Sequence, residues 1–446
     1  MTRFIFFLIG CIILTSAVDV SVMLPLDMVD FNGNLAYSDK VIRNWFYDLR
    51  NASVAGVMTD VWHGLTEPQP HKYHFDPYIK LITIARETGL KVQLVASFHR
   101  CGGNVGDTCD IPLPKWILDV GKSNSNIFYT DKHGHPDEEY LSLGVDNERL
   151  FGSPPRSPVE IYSDWVHALA KAIRPFIPTT VDEFQIGLGP CGELRYPSYQ
   201  LDRWGFCGVG EFQCWDKYML ESLKKAADAY GKPWYLPPGD AGEYNSRPDD
   251  TGFFRTNGGY ASEYGNFFLK WYSGQLMDHF DRVLGAIRSK LGSLGLSDFP
   301  LAVKIAGIHW HYNHASHAAE LTAGYFNTNG VDGYAKMMPL FKKHNVAFDF
   351  TCLEMRDWEQ PGECNCSPWS LVGQTIKGAK INGLTFSGEN AIAGFEQNKF
   401  DTMIENVKRY GKGSVKQITF LRLGDSMFYP DNYKRMKSWV ERIAEY

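Results

Sequence analysis

The chain has 446 residues, with 45 Lys and Arg against 51 Asp and Glu and a formal charge of −6. That balance, together with 44% hydrophobic and 22% charged residues, excludes an overall disordered chain, a coiled coil and a basic nucleic-acid binder, and it leaves enough apolar side chains for one large core. Aromatic residues make up 14%, which suits a well-filled core and also stacking surfaces for sugars.

The first element is an apolar run from Phe4 to Leu14, preceded by Arg3 and followed by Thr15-Ser16-Ala17. It is too short to span a membrane and ends in small residues. It therefore reads as a secretory signal over residues 1–17, and the product is expected in the secretory lumen or outside the cell. No later run reaches the length of a membrane span. Removing Cys11 with the signal leaves cysteines 101, 109, 191, 207, 214, 352, 364 and 366, whose pairing the sequence does not decide. Asn51 and Asn365 each head a glycosylation sequon.

Eight short runs rich in Val, Ile, Leu and Phe follow, at 21–27, 56–62, 91–99, 183–189, 301–310, 346–354, 383–390 and 417–424. Helical periodicity occupies intervening stretches such as 76–88, 163–174, 212–230 and 264–291. Apolar strands alternating with helices predict a parallel sheet clothed in helices. Eight of them predict an α/β fold, a closed (β/α)8 TIM barrel, in a single domain over 18–446. Long insertions, 100–182 and 190–300, follow the third and fourth strands, where barrel loops build walls and lids.

Every predicted strand finishes on or near polar or ionisable residues: Asp27, Asp60, His99, Glu193, Lys304 with His309, Thr351 with Glu354, Glu389, and Arg422 with Asp425. One such residue is an ordinary cap, but a full ring of them at the C-terminal rim is expected to converge on one pocket. No nucleophile elbow and no Walker loop are present. The segment Gly102-Gly103-Asn104-Val105-Gly106-Asp107 lacks the lysine of a phosphate loop and reads as a hinged flap. Paired carboxylates among Lys, Arg, His and aromatics favour glycoside hydrolysis.

Two strings carry a closer likeness: His99-Arg100-Cys101-Gly102-Gly103-Asn104-Val105-Gly106-Asp107 and Gly189-Pro190-Cys191-Gly192-Glu193-Leu194-Arg195-Tyr196-Pro197-Ser198-Tyr199. With 56–62, 304–310, 317–325, 350–357, 388–391 and 421–423, they make the sequence resemble the β-amylases, glycoside hydrolase family 14, from about residue 21 to about 430. The resemblance implies release of β-maltose, with inversion, from the non-reducing ends of α-1,4-glucans such as starch or glycogen. Position by position, Glu193 matches the general acid and Glu389 the general base. Asp107 matches a flap residue, and Thr351 matches an inner-loop threonine that holds glucan. Asp60, His99, Lys304, His309, Asn390, Ala391 and Arg422 match sugar-contacting positions, and Ile392 stands where a leucine is usual. Inversion calls for carboxyls about 6.5–9.5 Å apart, and the acid needs burial or a neighbouring negative charge to keep its proton. The bland alternative is a structural ion pair for each glutamate, with Arg195 or Lys304.

Departures from the family are His63, Arg100 and Cys191, none of which removes a catalytic group. Trp62 and Trp310 stack on sugar or simply pack. The resemblance implies a Cys101–Cys109 disulfide, and Cys207 and Cys214, which flank another loop, are a second candidate pair. Calcium near Glu67 is disfavoured because His71 stands where an aspartate is expected. No cofactor and no catalytic metal are expected, and the partner is the glucan. A monomer without nucleic-acid or membrane partners is favoured, with no appended starch-binding domain. Two alternatives stay open: a non-catalytic glucan binder and a barrel glycosidase of other specificity.

Overall fold

The computed structural model describes residues 17–446. The predicted signal segment lies almost wholly outside them. The apolar runs become eight parallel barrel strands: β1 (Asp19–Met23), β2 (Gly56–Trp62), β3 (Lys91–Ser97), β6 (Val181–Ile186), β7 (Leu301–Ile305), β8 (Val346–Phe350), β9 (Phe386–Glu389) and β10 (Gln417–Phe420). Strands β4 (Phe128–Thr130) and β5 (Pro136–Leu141) form a separate antiparallel hairpin. The barrel closes in the order β1-β10-β9-β8-β7-β6-β3-β2, with β1 paired to both β2 and β10.

Period-two alternation gives the wall two unlike faces. Val57, Val61, Leu94, Val303, Phe348 and Ile418 join the main hydrophobic core, where the surrounding helices cover the barrel. Met23, Met58 and Val95 form a small separate cluster with Leu421 against it. Polar contacts cross between strands on that inner side. Gln93 Nε2 donates to Glu183 Oε1 at 2.8 Å, Gln185 Nε2 to Asp349 Oδ2 at 2.5 Å, and Lys304 Nζ meets Glu389 Oε2 at 2.7 Å. Buried on the barrel interior, these groups pair with one another across strands, though not every one of their valences is filled.

The predicted helix at 76–88 is observed as Asp76–Thr88, and the others as Pro158–Ala172, Lys217–Tyr230 and Glu263–Ser293. Helix Pro158–Ala172 starts earlier than its apolar period because Ser157 and Glu160 make a reciprocal capping box. Several strands end earlier than predicted, at Ile186, Ile305 and Phe350. Beyond two of them the backbone enters left-handed conformations, at Cys191 (φ 54°) and Cys352 (φ 62°), leaving the ladder to present the residues that follow.

The disulfide Cys101–Cys109 is present at the foot of the flap. The other bridge corrects the expected Cys207–Cys214 pair: Cys207 is joined to Cys364. Cys214 is locked in the core, while His311 holds the two partner segments together. Its ring nitrogen bonds Cys207 O at 2.6 Å and its amide donates to Cys364 O at 2.7 Å. Among the described residues no helix is long and apolar enough to cross a membrane.

Candidate active site

Glu389 is the last residue of β9 and is fully buried. Lys304 near the end of β7, two strands away in the barrel, places its ammonium 2.7 Å from Glu389 Oε2. Burial opposes the Lys304 charge, but the carboxylates of Glu389, Asp349 and Glu193 outweigh it and push that group above the ordinary lysine range. Glu193 lies just past β6, bridged to Lys304 through the backbone: the next amide, Leu194 N, donates to Lys304 O at 2.9 Å. Its carboxylate accepts from Arg195 Nε at 2.7 Å. The charged group in contact with Glu193 is thus a cation rather than a second carboxylate, and burial is the part of the expectation that is met.

Arg195 is itself buried and reaches further. Its Nη2 donates to Asn104 Oδ1 of the flap at 3.2 Å, and its guanidinium sits 4.2 Å over the Tyr199 ring. Glu139 on β5 ties the same parts from behind, accepting from Asn104 Nδ2 at 2.7 Å and from Cys191 N at 2.9 Å, and also from Gln200. Burial, then the adjacent Asp137 carboxylate, pushes Glu139 above the usual carboxylate range.

Asp60 and His99 lie near Lys304, and His309 follows β7. Asp60 on β2 accepts from Ser97 Oγ at 2.7 Å, and burial outweighs nearby Arg422 and raises its carboxyl. His99 is buried edge-on against Trp62, with burial and then the charges of Lys304 and Arg195 driving its imidazole down to about 3. His309 Nδ1 contacts Gly307 O at 3.1 Å, and burial lowers its affinity for a proton. Asp60 Oδ2, His99 Nδ1, His309 Nε2 and Glu389 Oε1 are all buried without a hydrogen-bond partner. Unsatisfied buried polar atoms are uncommon, and this group leaves several hydrogen-bonding valences open at one end of the barrel.

Other candidates hold the rim. Thr351 Oγ1 accepts from Gly307 N at 2.7 Å, and a Cβ at Gly307 would lie 2.5 Å from Cys352 Sγ, so only glycine fits this crossing. Asn390 exchanges two bonds with Leu421, donating to its carbonyl at 2.6 Å and accepting from its amide at 2.7 Å. Arg422 Nη1 donates to Leu24 O at 3.1 Å. Ala391 N and Ile392 N both donate to buried Glu354. Asp107 turns its carboxylate back onto its own flap, accepting from Gly102 N at 2.9 Å and Asn104 N at 3.0 Å, rather than into the pocket. Asp27 and Asp425 are exposed and stand apart from this network. Trp62 and Trp310 are packed, their indoles donating to Leu26 O at 2.8 Å and Gly208 O at 3.0 Å. Glu67 is engaged by His63 Nε2 at 2.8 Å and Arg156 Nη2 at 2.7 Å.

Besides Glu139, a residue next to the catalytic candidates escaped the sequence reading. Asp349 on β8 faces Glu389, and burial followed by that neighbour pushes its carboxyl far above the carboxylate range. Its Oδ2 accepts from Gln185 Nε2 at 2.5 Å. The signal for it was a carboxylate inside the apolar strand Val346-Ala347-Phe348-Asp349-Phe350, on the same parity as Thr351.

Residues 21–446 match the model of glycosyl hydrolase family 14. The chain is 44% identical over 437 residues to chloroplastic beta-amylase 1 of Oryza sativa subsp. japonica, covering 96% of this chain and 81% of that protein. It is 42% identical over 441 residues to chloroplastic beta-amylase 1 of Arabidopsis thaliana, covering 96% and 76%. The crystal structure of the catalytic domain of beta-amylase from Paenibacillus polymyxa superposes with a TM-score of 0.78 at 27% identity, covering 95% of this chain and 98% of that one. The plant relatives overturn the expectation of secretion, since both are named chloroplastic. A short apolar run is a weak guide here because addresses are read by receptors, not by the physics of the fold. With its barrel, its rim of paired glutamates and these relatives, the chain belongs to glycosyl hydrolase family 14.

Proposed function

We infer that the chain is an inverting exo-hydrolase that cuts α-1,4-glucans two glucose units from the non-reducing end and releases β-maltose. Glu193 protonates the glycosidic oxygen as the C1–O bond breaks. Glu389 takes a proton from the water whose oxygen bonds to C1 from the opposite face. The new hydroxyl is on the face opposite the broken bond, and proton exchange with solvent restores both carboxyls.

The observation that supports these roles most is the unequal setting of the two glutamates. Glu389 is buried with one oxygen on Lys304 and the other without a donor, whereas Glu193 keeps 12% of its side chain exposed and leans on Arg195. The ion pairs with Arg195 and Lys304 therefore position the glutamates; they do not replace a catalytic role. Asp60, His99, Lys304, His309 and Arg422 supply hydrogen bonds to sugar hydroxyls, Thr351 and Asn390 hold the inner rim, and the Asp107 flap excludes water when it closes.

Polarimetry on maltopentaose tests the assignment. Maltose should appear first as the β-anomer and then mutarotate to the equilibrium mixture, and a crystal complex with maltose should place the carboxyls about 6.5–9.5 Å apart. Release of α-maltose, or carboxyls close enough to form a covalent glycosyl intermediate, overturns it.

A further inference from the structure

Outside the rim, the two long insertions meet at a cluster of one imidazole and two carboxylates. His133 lies in the turn of the β4–β5 hairpin, Glu211 in the extended segment after β6, and Glu243 in a loop further along the second insertion. One ligand-type atom of each lies within 4.8 Å of the other two. His133 Nε2 is 2.7 Å from Glu243 Oε2 and 3.8 Å from Glu211 Oε1.

Glu211 makes the cluster more than a surface ion pair. The residue is 4% exposed, and neither carboxylate oxygen has a hydrogen-bond partner. A buried carboxylate normally recruits donors or a cation, and this one is aimed at an imidazole too far away to donate to it. The surroundings are built to hold the other two ligands. Asp131 accepts from His133 N at 2.9 Å, His135 N at 3.0 Å and Tyr244 Oη at 2.9 Å, which fixes the hairpin turn and uses up that carboxylate. Lys132 Nζ donates to Gly242 O at 2.5 Å and to Glu243 Oε1 at 2.6 Å, which leaves Glu243 Oε2 on the His133 side.

We propose that His133, Glu211 and Glu243 form a zinc-class divalent metal site that staples the first insertion to the second, away from the reacting atoms. One nitrogen and two carboxylate oxygens are a borderline donor set that zinc accepts, with water in the fourth position. Bonds of about 2.0–2.2 Å place tetrahedral ligand atoms roughly 3.2–3.6 Å apart. The His133–Glu211 spacing is already close to that, and the His133–Glu243 pair need only open slightly as its hydrogen bond is exchanged for the metal. Two carboxylate charges match a dication, and Lys132 remains bound to the outer oxygen of Glu243.

The test uses the untagged full chain, stripped with chelator and titrated with zinc chloride by calorimetry, alongside thermal melts. One zinc per chain is expected, with a dissociation constant below about 10 µM and a rise in Tm on saturation. His133→Ala and Glu211→Gln should each weaken zinc binding by about 10-fold or more and shrink the melting shift at a fixed zinc concentration. His133→Ala should leave maltose release in the absence of zinc unchanged. His133 is half-exposed, so its loss does not threaten folding. No stoichiometric zinc binding, binding that His133→Ala does not alter, or preference for calcium over zinc would each overturn the assignment, the last because calcium does not favour an imidazole ligand. None of these outcomes bears on the polarimetric test of the hydrolytic reading.

Discussion

The two faces of the barrel wall come from the same strands and obey opposite rules. Outward residues such as Leu94, Val303 and Phe348 sink into the main apolar core, while inward neighbours such as Gln185, Lys304, Asp349 and Glu389 form a chain of polar contacts. The outer face contributes hydrophobic burial and sets the fold. The inner face is arranged around charge, which costs stability unless every group has a partner, and that cost is the sign of a site.

The sharpest way to break this contrast is a crossed pair of substitutions. Glu389→Gln should lower kcat by three orders of magnitude or more, leave glucan binding detectable, and move Tm little. Phe348→Ala on the other face should cost about 3–5 kcal/mol of stability while kcat per folded molecule is retained. Steady-state kinetics on the folded fraction, with denaturant melts, reads both. A folded Phe348→Ala protein with greatly reduced kcat would mean that the two faces are not separable. Glu193→Gln belongs with Glu389→Gln, and retained turnover in either refutes the acid or base role.

The same contrast explains what could be read from the sequence. Val, Ile, Leu and Phe recur on the outward parity of the strands, so the eight-fold barrel was legible once the pattern had repeated through eight runs. Rim residues were legible because they stand where strands stop. Asp349 was not, since it sits mid-strand in a run that reads as apolar, and its meaning depends on Glu389, 40 residues later and next to it only in the closed barrel. The hairpin β4–β5 was missed because β4 is only three residues long and β5 opens on Pro136-Asp137-Glu138-Glu139. The Cys207–Cys364 bridge spans 157 residues, and no local spacing encodes such a pair.

Asp349 offers the next largest effect. Asp349→Leu removes the carboxyl beside Glu389 and leaves the Gln185 amide without its acceptor, so kcat should fall roughly 10–100-fold with KM little changed. Asp349→Asn keeps a donor and an acceptor in the same place and should recover most of that loss. Equal impairment in both variants would mean that Asp349 only fills space.

On the flap, Asp107→Asn keeps the shape of the side chain but removes the charge that gathers the amides of Gly102 and Asn104. Its kcat/KM should drop about 10-fold, with an unchanged melting curve and the Cys101–Cys109 bridge intact. Wild-type kinetics would show that the ordered loop needs only its glycines and its disulfide.

The smallest effect concerns stability rather than rate. His99 resists protonation in the folded protein down to about pH 3, because burial and the positive charges of Lys304 and Arg195 oppose an imidazolium there. In the unfolded chain the same imidazole titrates near 6.5. As the pH falls below 6.5 the unfolded state binds a proton that the folded state refuses, so stability present above that pH is lost progressively toward about pH 3. Between pH 6.5 and about 5 this one residue should account for about 1–2 kcal/mol of lost stability. His99→Asn carries no such proton, so the difference between variant and wild-type melts should narrow in its favour as the buffer is acidified. Parallel curves across that interval would mean that His99 takes up its proton in the folded state, and a neutral imidazole could then no longer be counted among the groups that meet the sugar.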